Sequence, residues 1–428
     1  MLISYRACNS TKPRVPTFHS PPSQPPATMS KSTPALFRPI RVGDLELAHR
    51  VIMAPLTRFR ADDNHVPLPH LVAQYYSQRA SVPGTLLISE ATFIDARAGG
   101  YANAPGIWSE EQIEAWKAVT AAVHAKGSYI YLQLWALGRA GVPRQLEKEL
   151  GRKAAEVYVS ASSIPLSNRS SKDPSPRALS IPEIDEYVQL YAQAAENAVK
   201  LAGFDGVEIH GANGYLVDQF LQDVSNKRTD KYGGSIENRS RFPLEVLDAV
   251  VNRVGQRKTG LRLSPWSDHQ DMGMKDPVPT YTYLINTILH KYPDLSYLHV
   301  TEKRLYVPRA GQPVAATDEF VTEGQENDFI RKLCSAKGMP LITAGGYTRE
   351  TGIRIAETKG DLIAYGRLFI SNPDLPYRLQ RGLSVEKGDR KRYYSRGSLD
   401  LTGYTDYPFS EQFVQETGAV QPGLQSRL

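Results

Sequence analysis

The chain has 428 residues, with 51 Lys and Arg against 45 Asp and Glu and a formal net charge of +6. At 41% hydrophobic residues it can bury a large core; it holds no apolar run of the roughly 18 residues a transmembrane helix needs, and its basic residues are interspersed with acids and form no zinc-finger or RNA-binding signature. Membrane and nucleic-acid partners are therefore not expected, and two cysteines, Cys8 and Cys334, are too few for a disulfide framework or an iron–sulfur site and fit a reducing, cytoplasmic setting.

Residues 1–28 carry six prolines, three basic residues and no acid. They lack the apolar centre of a secretory signal, and the prolines would break the amphipathic helix of a mitochondrial presequence. Met29, followed by Ser-Lys-Ser, is an alternative start. Residues 1–35 read as a disordered N-terminal extension and residues 36–428 as one catalytic domain.

From residue 50 onward, short β-branched or apolar runs alternate with helix-length segments. The predicted strands are Arg50–Thr57, Leu86–Thr92, Tyr129–Trp135, Gly206–His210, Gly260–Ser264, Tyr297–Thr301, Pro340–Ala344 and Leu362–Gly366. Between them, Ser109 with Gln112 and Ser180 with Glu183 have the spacing of capping boxes. The first opens a helix with an apolar face of Ile113, Trp116, Val119 and Val123. The second opens one with Ile184, Tyr187, Val188, Tyr191, Ala195 and Val199. Phe242, Val246, Ala249 and Val250 make a third such face. Repeated βα units suit either an open doubly wound sheet or a closed barrel. The open sheet would want a G-x-G-x-x-G turn, and neither that nor a Walker-type loop is present. The prediction is an α/β fold, a (β/α)8 TIM barrel, with residues 136–180 a long insertion after the third strand at the catalytic end.

Barrel enzymes hold their sites where strands end. Thr57 follows the first run, Ala91 the second, Gln133 and Trp135 the third and His210 the fourth; Arg262 lies in the fifth. Polar groups there are costly unless something accepts their hydrogen bonds. Gly345 and Gly346 after the seventh run, and Gly366 and Arg367 after the eighth, stand where this fold commonly builds a phosphate site. The strongest local signal is His210-Gly-Ala-Asn213-Gly-Tyr215. His210 and Asn213 can aim two donors at one oxygen, which would stabilise an enolate, and Tyr215 can supply a proton. A structural histidine, an Asn-Gly turn and a packed tyrosine are the plain alternatives. No second His or Cys stands at ligand spacing, so no metal is expected. No G-x-S-x-G turn points to a hydrolase.

The stretch His210 to Leu221, followed by Asn226-Lys-Arg-Thr-Asp-Lys-Tyr-Gly-Gly-Ser-Ile-Glu-Asn-Arg-Ser-Arg-Phe242, resembles the old yellow enzyme family. So do Ala54-Pro-Leu-Thr-Arg58, Tyr101-Ala-Asn-Ala-Pro-Gly-Ile-Trp-Ser109, Leu132-Gln-Leu-Trp135, Gly260-Leu-Arg-Leu-Ser-Pro265 and Tyr365-Gly-Arg-Leu-Phe-Ile-Ser-Asn-Pro-Asp374, in the family order over about Leu36 to Pro408. The resemblance implies non-covalently bound FMN, reduction by NADPH or NADH, and reduction of the C=C bond of α,β-unsaturated aldehydes or ketones, in natural-product biosynthesis or detoxification. It implies that Thr57 bonds the flavin near N5, that Ala91 lets the ring approach the backbone, and that Gln133 reads the pyrimidine edge. Arg262 would lie near N1, and Gly345, Gly346, Gly366 and Arg367 would hold the phosphate. His210 and Asn213 would clamp the substrate carbonyl while hydride reaches the β-carbon, and Tyr215 would protonate the α-carbon. Tyr306 and Tyr394, with Tyr393 beside it, are expected at the substrate wall. The expected partner is a small electron-poor alkene, with the protein a monomer or homodimer. An isomerase, an iron–sulfur dienoyl reductase and a non-catalytic FMN-binding protein are the rivals; Tyr215, the cysteine count and the intact trio argue against each in turn.

Overall fold

A computed structural model describes residues 33–303 and 326–422. Tyr306 and residues 1–32 lie outside the described residues. Numbering only the barrel elements, the strands are β1 (Val51–Met53), β2 (Leu86–Phe93), β3 (Tyr129–Trp135), β4 (Gly206–Gly211), β5 (Thr259–Leu263), β6 (Tyr297–Thr301), β7 (Leu341–Ala344) and β8 (Leu362–Tyr365). They pair in sequence order, every pair parallel, and β8 closes onto β1. All eight predicted runs overlap these strands. The closed barrel is the finding, and the open sheet is excluded.

The helices that follow are α1 (Pro69–Arg79), α2 (Glu110–His124), α3 (Ile181–Glu196), α4 (Ile236–Val254), α5 (Val278–Lys291), α6 (Asp328–Ser335), α7 (Arg349–Lys359) and α8 (Leu375–Arg381). Both predicted capping boxes form. The Ser109 Oγ accepts from the Gln112 N–H at 3.3 Å while Gln112 accepts from the Ser109 N–H at 3.2 Å. Ser180 and Glu183 do the same. Each box satisfies two N–H groups that a helix start otherwise leaves unpaired. The predicted faces turn inward: Trp116, Val119, Val123, Ile184, Tyr191, Phe242, Val246 and Val250 are buried between helices and sheet.

Side chains alternate across each strand, so every second residue faces the barrel axis. At the N-terminal end the axis is filled by Ile52, Leu86, Ile88, Tyr131, Tyr297, Ile342 and Leu362. A hairpin, Ile40–Val42 with Leu45–Leu47, plugs this end, adding Val42, Leu45 and Leu47 to the same cluster. Its turn depends on Gly43, whose φ is +56° and whose Cβ position would lie 2.0 Å from the Arg257 carbonyl. Only glycine fits there. Fully burying each such apolar side chain is worth about 1.5–3 kcal/mol, so the plug closes a floor beneath the open mouth.

Residues 136–180 leave the C-terminal end of β3 as predicted, and they are folded. They form a helix (Pro143–Leu150), a short helical turn (Ala154–Val157) and a two-residue parallel strand pair, Val159–Ser160 with Arg177–Ala178. Arg139 ties the excursion to the loop after β5, donating to the Gln270 and Asp271 carbonyls at 2.9 and 3.2 Å.

Candidate active site

The mouth of the barrel is built from strand ends whose inward positions are fixed by register. Gln133 on β3 pairs with Glu208 on β4, and His210 on β4 pairs with Arg262 on β5. Between Ile88 and Ala91 the β2 ladder slips: Ile88 pairs with Tyr131 but Ala91 with Gln133, so three residues of β2 span two of β3. Such a bulge re-aims the residues beyond it. Ala91 thereby comes level with Gln133 and presents only a methyl group.

His210 is buried, and its Nδ1 accepts the Ala212 N–H at 3.4 Å. The ring proton is thus assigned to Nε2, leaving that nitrogen a donor. Burial drives the imidazole well below its usual range, and the Arg262 charge beside it acts in the same direction. The side chain is neutral, so it offers one hydrogen bond and no competing charge.

Asn213 and Gly214 both take positive φ, +57° and +77°. The left-handed turn is held at every polar backbone atom near it. The Asn213 N–H donates to Ser264 Oγ at 2.7 Å, and its carbonyl accepts from Gln270 at 2.7 Å. The Gly214 N–H donates to Asp218 at 2.9 Å, and the Gly214 carbonyl accepts from Gln219 at 2.7 Å. Both plain readings of this segment hold, since an Asn-Gly turn is present and Tyr215 packs. Neither occupies the Asn213 amide, which is half-exposed and makes no hydrogen bond among the described residues.

The Tyr215 ring meets His210 edge-on at 4.8 Å and Trp135 edge-on at 4.9 Å. Burial raises its phenol far above the ordinary range. The tyrosine is therefore protonated and able to donate. Phe59, Phe93, Tyr101, Trp108 and Trp135 complete an aromatic wall around it.

Thr57 lies half-buried on the loop after β1, and the residues after it are anchored from below. The Arg58 and Phe59 N–H groups both donate to the Glu90 carboxylate, at 3.1 and 3.3 Å. Glu90 is turned away from the axis by the same bulge that admits Ala91. At the β7 and β8 ends, the N–H groups of Gly345, Gly346 and Gly366 have no protein acceptor among the described residues. Arg367 is exposed and makes no ion pair or hydrogen bond there. Three free backbone donors beside an unpaired guanidinium suit a phosphate. The Arg262 Nε is also buried without a partner, as expected of a group waiting for a ligand acceptor. The donors, the methyl-sized Ala91 and the aromatic wall fit a flat phosphorylated cofactor such as FMN.

The structure thus brings His210, Asn213, Tyr215, Thr57, Ala91, Gln133 and Arg262 to one end of the barrel, with Gly345, Gly346, Gly366 and Arg367 just beyond the adjacent strands β7 and β8. Tyr394 is exposed, its ring 6.1 Å from Phe59. Tyr393 meets it edge-on at 6.4 Å, but its side chain is buried and its carbonyl accepts from Arg58. Sequence reasoning passed over Glu208 and His299, which pair at 2.8 Å inside the barrel. Strand alternation held a usable signal, since Glu208 stands two residues before His210 and shares its face.

Residues 35–386 match the NADH:flavin oxidoreductase / NADH oxidase family. The chain is 52% identical over 382 residues to the chanoclavine-I aldehyde reductase fgaOx3 of Penicillium roqueforti, covering 88% of this chain and 97% of that one. It is 49% identical to the NADP-dependent oxidoreductase lnbE of Aspergillus flavus, covering 89% and 97%. Among solved structures, Old Yellow Enzyme from a Pichia species superposes with a TM-score of 0.77 at 36% identity, over 88% of this chain and 94% of that chain.

Proposed function

We propose that this chain, which belongs to the NADH:flavin oxidoreductase / NADH oxidase family and within it to the old yellow enzymes, reduces the C=C bond of α,β-unsaturated aldehydes with the proton delivered by Tyr215. It is an NAD(P)H-dependent flavin oxidoreductase with FMN as cofactor. When bound, FMN would supply the two-electron chemistry that links the nicotinamide to the alkene; the residues of the chain would bind, orient and protonate. Thr57, Ala91, Gln133 and Arg262 would hold the flavin ring, and Gly345, Gly346, Gly366 and Arg367 its phosphate.

One observation carries the reading: a neutral His210 whose Nδ1 is occupied by a backbone N–H, set edge-on against a protonated Tyr215. Nε2 of His210 and the amide of Asn213 supply two donors for a carbonyl oxygen. Negative charge that develops on that oxygen is stabilised more than the neutral substrate is, which is the condition for faster chemistry. Tyr215, whose proton is retained by burial, then delivers it to the α-carbon. The braced turn keeps these groups in place before substrate arrives, so little reorganisation remains.

The substrate reading follows the 52%-identical relative, named for an aldehyde: an unsaturated aldehyde of natural-product type. The NADP-dependent relative favours NADPH as reductant. We place the enzyme in the cytoplasm on its low cysteine content, acting as a monomer or homodimer. The test is anaerobic NADPH oxidation by the purified yellow protein with and without an enal. Acceleration with formation of the saturated aldehyde is expected. A colourless protein that takes up no FMN, or turnover that leaves the double bond intact, would refute it.

A further inference from the structure

Beneath the mouth, one layer deeper than His210, the barrel axis holds a closed polar group. The Glu208 carboxylate is sealed from solvent. One oxygen accepts from the Gln133 Nε2 at 2.7 Å and the other from the His299 Nδ1 at 2.8 Å. Gln133, Glu208 and His299 come from β3, β4 and β6. Arg262 on β5 lies between the last two, in register with His210 on one side and His299 on the other. An ionised carboxylate at this depth is not explained by stability, since burying charge is costly and an apolar layer of equal volume would serve as well or better. The layer directly below it is aliphatic apart from Tyr131 and Tyr297, and the Tyr297 hydroxyl lies against the Glu208 carboxylate.

The arrangement has two consequences for whatever sits above it. Gln133 can rotate its amide either way in isolation; a carboxylate accepts hydrogen bonds only, so Glu208 fixes the NH2 group downward and leaves the amide oxygen for the mouth. Burial pushes the Glu208 carboxyl up, and His299, Arg262 and Gln133 together overcome this and keep it ionised. Burial keeps His299 below its usual range. The layer therefore holds one anion, Glu208, against one cation, Arg262.

We propose that Glu208 is a positioning residue that sets the redox potential of the bound flavin, by orienting Gln133 and offsetting the charge of Arg262. This rests on the reading that FMN lies over the barrel mouth. Reduced flavin is anionic, so a carboxylate below it disfavours reduction and its removal favours it. A unit charge within about 10 Å, at an effective dielectric of about 20, changes the ratio of affinities for reduced and oxidised flavin by about tenfold. For a two-electron couple that is about 30 mV.

The experiment compares holoenzymes of the wild type, Glu208→Gln and His299→Leu, measuring FMN dissociation constant, visible spectrum and midpoint potential by dye equilibration. Glu208→Gln should raise the midpoint by the tenfold equivalent. His299→Leu removes the group that does most to keep Glu208 ionised, so it should shift the midpoint in the same direction. If Glu208→Gln does not fold, the direction of the His299→Leu shift decides. Potentials unchanged from the wild type, or a midpoint lowered in either variant, overturn the proposal. A wild type that binds no FMN instead overturns the cofactor reading beneath it, and the spectrum shows which has failed.

Discussion

The imidazole of His210 and the phenol of Tyr215 meet edge to face, 4.8 Å between centroids at 75°, although they reach the barrel mouth by different means. His210 is carried by β4 itself. Tyr215 is carried by the left-handed Asn-Gly turn after it, which Ser264, Gln270, Asp218 and Gln219 hold from four directions. The two side chains are thus fixed relative to each other before any ligand binds.

If Tyr215 supplies the proton, Tyr215→Phe keeps the ring packing against Trp135 and removes only the hydroxyl. Alkene reduction should slow by roughly 10²–10⁴, with flavin reduction by NADPH unchanged. Stopped-flow traces of the two half-reactions separate the cases, and equal slowing of both would contradict the assignment.

Replacing His210 and Asn213 by Ala removes both donors. Each is expected to be worth roughly 10²–10³ in rate, and phenol binding, followed by its long-wavelength absorbance with the flavin, should weaken. Titrations indistinguishable from the wild type would mean the carbonyl oxygen lies elsewhere.

Arg367 has no acidic partner among the described residues, so Arg367→Ala should leave folding intact. FMN affinity should fall about tenfold to a hundredfold, the scale of a charged hydrogen bond, while riboflavin, which has no phosphate, should bind as before. Equal losses for both flavins would remove Arg367 from the phosphate site.

His49 is buried with its Nδ1 accepting the Val51 N–H at 3.2 Å and its Nε2 3.0 Å from Thr85 Oγ1. Burial lowers its pKa to about 4, against about 6.5 in the unfolded chain. The unfolded state therefore binds the extra proton first. The contribution is complete above about pH 6.5 and is lost as pH falls toward about 4, by roughly 3 kcal/mol. Denaturant melts across that range should show a gentler decline for His49→Asn; parallel curves would rule the contribution out.

Much of this was legible without coordinates. Eight strand runs, two capping boxes and the inward helix faces are local patterns, set by side-chain size and polarity over a few residues. Each recurs in the structure where it was read. The glycines after β7 and β8 stand out by position alone, and among the described residues their N–H groups have no protein acceptor. The excursion after β3 was located by its composition, but its helix and strand pair were not anticipated. They depend on contacts with the loop after β5, remote in sequence.

The chain by itself determined the βα alternation and the place of His210, Asn213 and Tyr215 at the end of β4, because alternation and turn chemistry are short-range. Only the tertiary structure decided what faces what across the axis. The slip at Ile88/Ala91 turns Glu90 outward to hold the Thr57 loop and brings Ala91 level with Gln133. Barrel closure sets His299 of β6 against Glu208 of β4, 91 residues apart. Register is the physical reason. A shift of one residue moves every side chain of a strand to its other face, and the register of eight strands is settled jointly when the last one closes onto the first.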